Sequence, residues 1–131
     1  MPHFTKLKNR IAIGTVQFGL DYGVANNLGQ VTKDEAAKIL SIAKTNGIDT
    51  LDTAVVYGKS EQVLGEALSK LGVSTEVLII SKFDPALDHL NGSVLSNAMG
   101  ESLSRLGIPS FYGMMLHKEE MLSAWDNGLS K

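Results

Sequence analysis

The sequence predicts an α/β fold built on a parallel sheet, and three observations predict it. Short apolar runs of strand length alternate with longer segments whose apolar residues recur at helical spacing. Each strand-plus-helix unit is roughly 30 to 37 residues long, which suits right-handed crossovers between parallel neighbours. Polar residues stand at the ends of the apolar runs, where parallel sheets present their functional groups. In 131 residues these units make one domain, residues 1–131, with a single core. To this point an open doubly wound sheet and part of a barrel are both allowed.

Ile11-Ala12-Ile13, closed by Gly14-Thr15, reads as the first short strand. Gln17 to Gln30 reads as a loop, with Gly19, Gly23, Gly29 and the Asn26-Asn27 pair, and a loop of that length in a small domain tends to be functional. Thr32 and Glu35 form a capping box for a helix whose stripe is Ala36, Ile39, Leu40 and Ala43, and Gly47 stops it. Ile48 to Asp52 is the second strand. After a loop, Ser60 caps a helix from about Glu61 with Val63, Leu64, Ala67, Leu68 and Leu71 on one face, stopped by Gly72.

Val77-Leu78-Ile79-Ile80 is a continuous apolar run, as in a parallel strand buried on both faces, and it ends at Ser81-Lys82. A third helix from about Ser93 uses Val94, Leu95, Ala98, Leu103 and Leu106, carries Gly100 at a cost of about 1 kcal/mol relative to alanine, and closes at Gly107. Phe111 to Leu116 is the fourth strand, followed by His117. Lys118 to Lys131 begins a fourth helical segment.

The charge balance narrows the function classes. Twelve basic and 14 acidic residues give a net charge of -2, which supplies no electrostatic footprint for nucleic acid or an anionic membrane. With no cysteine there is no disulfide framework, thiolate nucleophile or cysteine-ligated metal. Met1 to Arg10 has no apolar run suited to a signal peptide, and no later stretch approaches spanning length. The expectation is a soluble, cytoplasmic protein.

Strand side chains alternate faces. Ile48, Thr50 and Asp52 therefore share one face of the second strand, Leu78, Ile80 and Lys82 one face of the third, and Met115 and His117 one face of the fourth. Adjacent C-terminal ends of a parallel sheet lie about 4.8 Å apart, so Asp52, Lys82 and His117 can converge, with Tyr57 reaching in from the loop after the second strand. A phenol has an ordinary pKa of about 10. A neighbouring ammonium such as Lys82 favours the ionised form and brings it nearer neutrality. Asp52 would hold Lys82, and His117 would donate a hydrogen bond to a substrate oxygen. The set suits protonation of a carbonyl oxygen while another group delivers hydride.

Taken in order, Gly14-Thr15-Val16-Gln17-Phe18-Gly19, Leu51-Asp52-Thr53-Ala54-Val55-Val56-Tyr57-Gly58-Lys59-Ser60-Glu61 with Leu64-Gly65, Ile80-Ser81-Lys82 and Leu116-His117 resemble the aldo-keto reductase signature. The DTA-x-x-YG-x-SE-x-x-LG string is highly specific. The resemblance implies Tyr57 as proton donor, Lys82 as the residue that activates it, Asp52 as the partner of that lysine, and His117 as the group orienting a small carbonyl substrate. It also implies NADPH, or NADH, as cofactor on a (β/α)8 TIM barrel. Gly14, Thr15, Val16 and Asp52 would line the nicotinamide end, and Phe18 to Val24 one wall of the substrate pocket.

The resemblance covers the whole chain, whereas a barrel of this type takes about 250 residues. The expected fold is therefore the parallel (βα)4 first half of the barrel, ending as the fourth helix begins. In the family the other half grips most of the cofactor, so turnover by these residues alone is expected to be weak or absent. Open strand edges and an inner face that includes Ile13, Leu78, Ile80 and Met115 lead to the expectation of a homo-oligomer. A non-catalytic assembly or interaction module is the other reading.

Each site residue taken singly has an ordinary explanation: Asp52 as a cap, Lys82 snorkelling at a strand end, His117 as a satisfied loop histidine. Their joint spacing outweighs those explanations. An aldolase using Lys82 as a Schiff base would leave Tyr57 and His117 without roles. Gly14, Gly19 and Gly23 do not form a phosphate-cradling GxGxxG. Tyr22 and Tyr112 read as packing, and Trp125 with Leu122 and Met121 as packing or a contact surface. His3 and His89 read as loop or solvent-facing residues, and no histidine pair has metal spacing.

Overall fold

A computed structural model of the chain describes residues 9–127, with side chains through residue 123. His3 and the side chain of Trp125 lie outside the described residues. The elements run β1 Ala12–Gly14, α1 Val16–Gly19, α2 Lys33–Thr45, β2 Thr50–Asp52, α3 Ser60–Leu71, β3 Leu78–Lys82, α4 Gly92–Leu106, β4 Gly113–Met115 and a 3-10 helix Glu119–Asn127. All four strands are parallel, in the order β1-β2-β3-β4, with Gly14, Asp52 and Ile80 in one register row and Lys82 opposite Met115. This sequential parallel order, with a helix after each of the first three strands, is the first half of a TIM barrel.

Helices α2, α3 and α4 lie side by side, and the core fills the space between them and the sheet. Leu51 and Ile79 from the strands meet Leu64, Leu68 and Leu106 from the helices, and all five are almost completely buried. At roughly 1.5 to 3 kcal/mol for each fully buried side chain of this size, this layer is the main source of stability. Helix α3 buries the face its periodicity predicts, Val63, Leu64, Ala67 and Leu68. Helix α4 buries only Ser102 and Leu106, because α3 is its main helical neighbour.

Several elements depart from the sequence expectation. The span from Gln17 contains the tail of the short helix α1, and strands β2 and β4 are shorter than their apolar runs. Val77 to Ile80 is not covered on both faces: Ile79 is buried while Leu78 and Ile80 stay half-exposed, since they point to the barrel axis and not to the helices. Ile13, expected on that inner face, pairs in register with the helix-facing Leu51 and packs on the core. Ile39 is half-exposed at the margin of its stripe, and Tyr22, expected to pack, is exposed.

Helix α2 has the expected capping box. The Thr32 hydroxyl donates to Glu35 Oε2 at 2.9 Å and accepts from the Glu35 amide, and the Thr32 amide donates to the same carboxylate oxygen. These bonds hold the Glu35 carboxyl below its ordinary pKa, and the Lys33 ammonium, 2.6 Å away, does the same for Glu66. Both carboxyls titrate lower when folded than when unfolded, so their stabilisation is present above the ordinary carboxylate range and is lost as pH falls through it. Glu35→Gln combined with Glu66→Gln is expected to flatten the acid limb of a thermal-stability profile. An unchanged limb would show that other carboxyls set it.

Candidate functional site

The C-terminal ends of the strands gather the predicted residues on one side of the sheet. Asp52 ends β2, Lys82 ends β3, His117 follows β4, and Tyr57 stands on the turn between β2 and α3. Lys82 Nζ donates to Asp52 Oδ1 at 2.7 Å and to the Thr53 carbonyl at 3.0 Å. It also lies 5.2 Å from the centre of the Tyr57 ring. The His117 ring meets Tyr57 edge-on, 5.9 Å between centres.

The lysine side chain is only 16% exposed and its carboxylate partner 36%. The pair therefore sits at a rim where its attraction is stronger than between fully solvated charges. His117 is half-buried, and its Nδ1 is buried without a hydrogen-bond partner among the described residues.

On the opposite, helix-facing side the same strand ends carry hydroxyls. Thr15 N and Oγ1 both donate to the Asp52 carbonyl, and Ser60 Oγ lies 2.8 Å from Thr15 Oγ1 and 3.2 Å from Thr53 Oγ1. Ser60 Oγ also donates to the Thr15 carbonyl at 2.7 Å. All three side chains are fully buried. Ser60 was expected to cap α3. It is instead the first helical residue, Lys59 occupies the cap position without a side-chain bond, and the serine hydroxyl is used inside the fold.

A second polar group fixes the next strand. Glu61, almost fully buried, accepts through Oε1 from Ser81 Oγ at 2.9 Å and from Ser102 Oγ, and through Oε2 from Arg105 Nε at 2.9 Å, with Arg105 Nη2 ion-paired to the same oxygen at 2.8 Å.

Local pattern gives Glu61 and this hydroxyl set no partners, although the sequence carries a signal for them. On the helix-facing side each of the first three strands places an apolar residue and then a hydroxyl, Ile13 then Thr15, Leu51 then Thr53, Ile79 then Ser81. A buried polar side chain at a core-facing position must find a partner, and the partners here are Ser60 and Glu61.

Of the residues expected to line a nicotinamide, Gly14 is open to the site: a Cβ built there would meet nothing within 4 Å, and its register partner is Asp52. Val16 is half-exposed. Thr15 is enclosed and its side chain is committed to the Asp52 backbone. Phe18, expected on the substrate wall, belongs to the core, whereas Leu20, Tyr22 and Val24 are exposed. The four-residue cluster is an open shelf. A cavity of about 130 Å³ lies instead at the other end of the strands, between α2 and α3, lined by Leu40, Leu51, Leu68 and Val77 and also by the charged Lys44, Asp49 and Glu76.

Comparison with known proteins agrees with the fold. Aldo-keto reductase str7 of Strobilurus tenacellus is 29% identical over 89 residues, covering 66% of this chain and 25% of its own. A solved structure described as an aldo-keto reductase of Pseudomonas aeruginosa superposes with a TM-score of 0.66 at 26% identity, over 90% of this chain and 51% of that one. The aldo-keto reductase of Klebsiella pneumoniae solved with NADPH has a TM-score of 0.61 at 22% identity, over 89% and 41%. The chain thus spans about half of these solved structures and a quarter of the curated relative. Residues 10–120 match the profile of the Aldo/keto reductase family from the first strand to beyond His117, and by that match the chain belongs to the aldo/keto reductase family.

Proposed function

We propose that these residues form the catalytic half-site of an NADPH-dependent carbonyl reductase, cytoplasmic in location, acting on an aldehyde or ketone. The observation that carries this reading is the chain of contacts from Asp52 through Lys82 to Tyr57 and His117. Family membership supports the reaction class.

The residues fit a nicotinamide. Gly14 offers space next to Asp52 that a side chain would fill, and Val16 borders it. The ring would rest against Gly14, Val16 and Asp52, while Thr15 serves by fixing the Asp52 backbone. When bound there, NADPH would be the source of the hydride for the carbonyl carbon. Tyr57 gives its hydroxyl proton to the carbonyl oxygen, so the carbonyl becomes an alcohol and the tyrosine is left as phenolate. Lys82 lies close enough to offset that negative charge. Asp52 keeps Lys82 in place, and His117, packed on the Tyr57 ring, is placed to hold the substrate oxygen beside the phenol.

A second reading, a non-catalytic module that pairs with another copy, is favoured by one observation. Ile11, beside β1, and Met115, in β4, are 56% and 50% exposed at the two outer strands of the sheet.

NADPH fluorescence titrated against the purified chain, with sedimentation on the same sample, separates the readings. Saturable but weak binding with slow aldehyde turnover is expected, the binding lost in Gly14→Leu without a change in melting temperature, and retained in Tyr57→Phe with the turnover abolished. Absence of binding at millimolar nucleotide, with a defined oligomer in sedimentation, would replace the reductase reading by the second one.

A further inference from the structure

Glu61 is a carboxylate with almost no exposure to solvent, and its bonds join α3 to β3 on one side and to α4 on the other. It is the second residue of α3 and follows Tyr57 by four positions, with the intervening turn held by Ser60 N to the Tyr57 carbonyl at 3.0 Å. Its Oε1 accepts from Ser81, the residue before Lys82 in β3, and from Ser102 of α4. Its Oε2 accepts from Arg105 Nε of α4 and is ion-paired with Nη2 of the same guanidinium. Both carboxylate oxygens are thus engaged, Oε1 by two serines and Oε2 by the Arg105 guanidinium, so the group can neither rotate nor shift without breaking a bond.

Stability alone is a weak reason for such an arrangement. Buried ion pairs are often replaced by apolar residues with no loss of stability, because desolvation cancels much of the attraction. What an apolar side chain could not do is fix direction. The Glu61 to Ser81 bond joins the segment that carries Tyr57 to the strand that carries Lys82, on the side of the sheet away from the substrate shelf. The other direct ties described between those two segments are Thr53 N to the Ile80 carbonyl at 2.9 Å, the longer bond from Val55 N to the Lys82 carbonyl at 3.3 Å, and the Lys82 ammonium itself.

We propose that Glu61 is a positioning residue which, through Ser81, sets the placement of the Lys82 ammonium against the Tyr57 ring. The proposal deepens the reductase reading and rests on it for its catalytic meaning, although the geometry it predicts is observable without cofactor. Glu61 acts at a distance from the substrate, and its contribution is the fixed approach of two groups that do touch the reaction. A displacement of one of them by about 1 Å can cost on the order of 10²-fold in rate.

Ser81 and Ser102 provide a matched pair for the test. Both are fully buried, and both donate to the same carboxylate oxygen. Ser81→Ala unties the strand, whereas Ser102→Ala unties only the neighbouring helix, and in either variant Oε1 keeps one serine donor. Nuclear Overhauser contacts between the Tyr57 ring and the Lys82 ε-methylene, recorded on the full chain with melting temperatures alongside, read the geometry directly. The expected result is that Ser81→Ala weakens or loses these contacts and Ser102→Ala retains them, at similar melting temperatures. Contacts that survive in both variants, or fall in both in step with melting temperature, would reduce Glu61 to a structural tie and overturn the proposal. NADPH binding by the unmodified chain is scored separately, so a failure of the reductase reading leaves this result standing on its own.

Discussion

Gly19→Ala is expected to lower the stability of the chain by about 3 kcal/mol, at the upper end of what overpacking costs, and to do so by displacing the turn that bears Tyr57. A Cβ at Gly19 would lie 1.7 Å from the Tyr57 carbonyl oxygen, 2.4 Å from the Ser60 amide and 2.9 Å from the Lys59 amide. All three are backbone atoms, so no rotamer change relieves the contact. The approach is reciprocal, because a Cβ at Gly58 would meet the Gly19 carbonyl at 2.5 Å, and Gly58 also has φ of +57°, where a side chain is strained. Two chain segments meet backbone to backbone here, and the meeting fixes where Tyr57 leaves the sheet. Denaturant unfolding gives the magnitude. Gly100→Ala is the control, since that glycine is exposed in α4 with open space around it and its replacement should stabilise by about 0.5 to 1 kcal/mol. Equal effects from the two substitutions would show that helix propensity, and not the close contact, governs Gly19.

The positions of α2, α3 and α4 were readable because local rules agree with the fold along most of their length, whereas α1 lies in a span that reads as turn and loop. Thr32 and Glu35 cap α2 as their spacing predicts, and Gly72 and Gly107 end their helices in the left-handed conformation. The face of β2 and β3 that carries Asp52 and Lys82 followed from alternation alone, and the structure puts those two side chains in contact. Ile13 takes the helix-facing side because its register partner is Leu51, and alternation within one short strand does not by itself say which face is which. Ser60 was misread for a different reason. Serine before a helix is an excellent cap in isolation, but the buried hydroxyls of Thr15 and Thr53 claim it, and that competition is tertiary. Glu61 was hidden in the same way: its partners Ser81, Ser102 and Arg105 are 20, 41 and 44 residues distant in the chain, and no local pattern joins them.

On the reductase reading, the largest loss of turnover from one substitution outside Tyr57 should come from Lys82→Met. Methionine keeps the length and most of the volume of the lysine stem, so the strand end and the core beneath it are preserved. What is removed is the charge at 5.2 Å from the Tyr57 ring centre and the two bonds to Asp52 and the Thr53 carbonyl. The Asp52 side chain is 36% exposed and can turn to solvent, so the fold should lose no more than about 1 kcal/mol, as for other partly solvated pairs. Turnover of an aldehyde should fall by about 10²- to 10⁴-fold, the range typical of a proton-transfer group, with NADPH affinity nearly unchanged. Asp52→Asn should cost less, because Lys82 keeps its charge and its bond to the Thr53 carbonyl. That order distinguishes the two residues: a holder of the lysine is partly dispensable, whereas the ammonium facing the phenol is not. If Asp52→Asn matched Lys82→Met in kcat, Asp52 would have to act on the substrate or cofactor itself. If Lys82→Met kept its turnover, the charge would have no part in proton delivery, and the contact that supports the reductase reading would be packing alone.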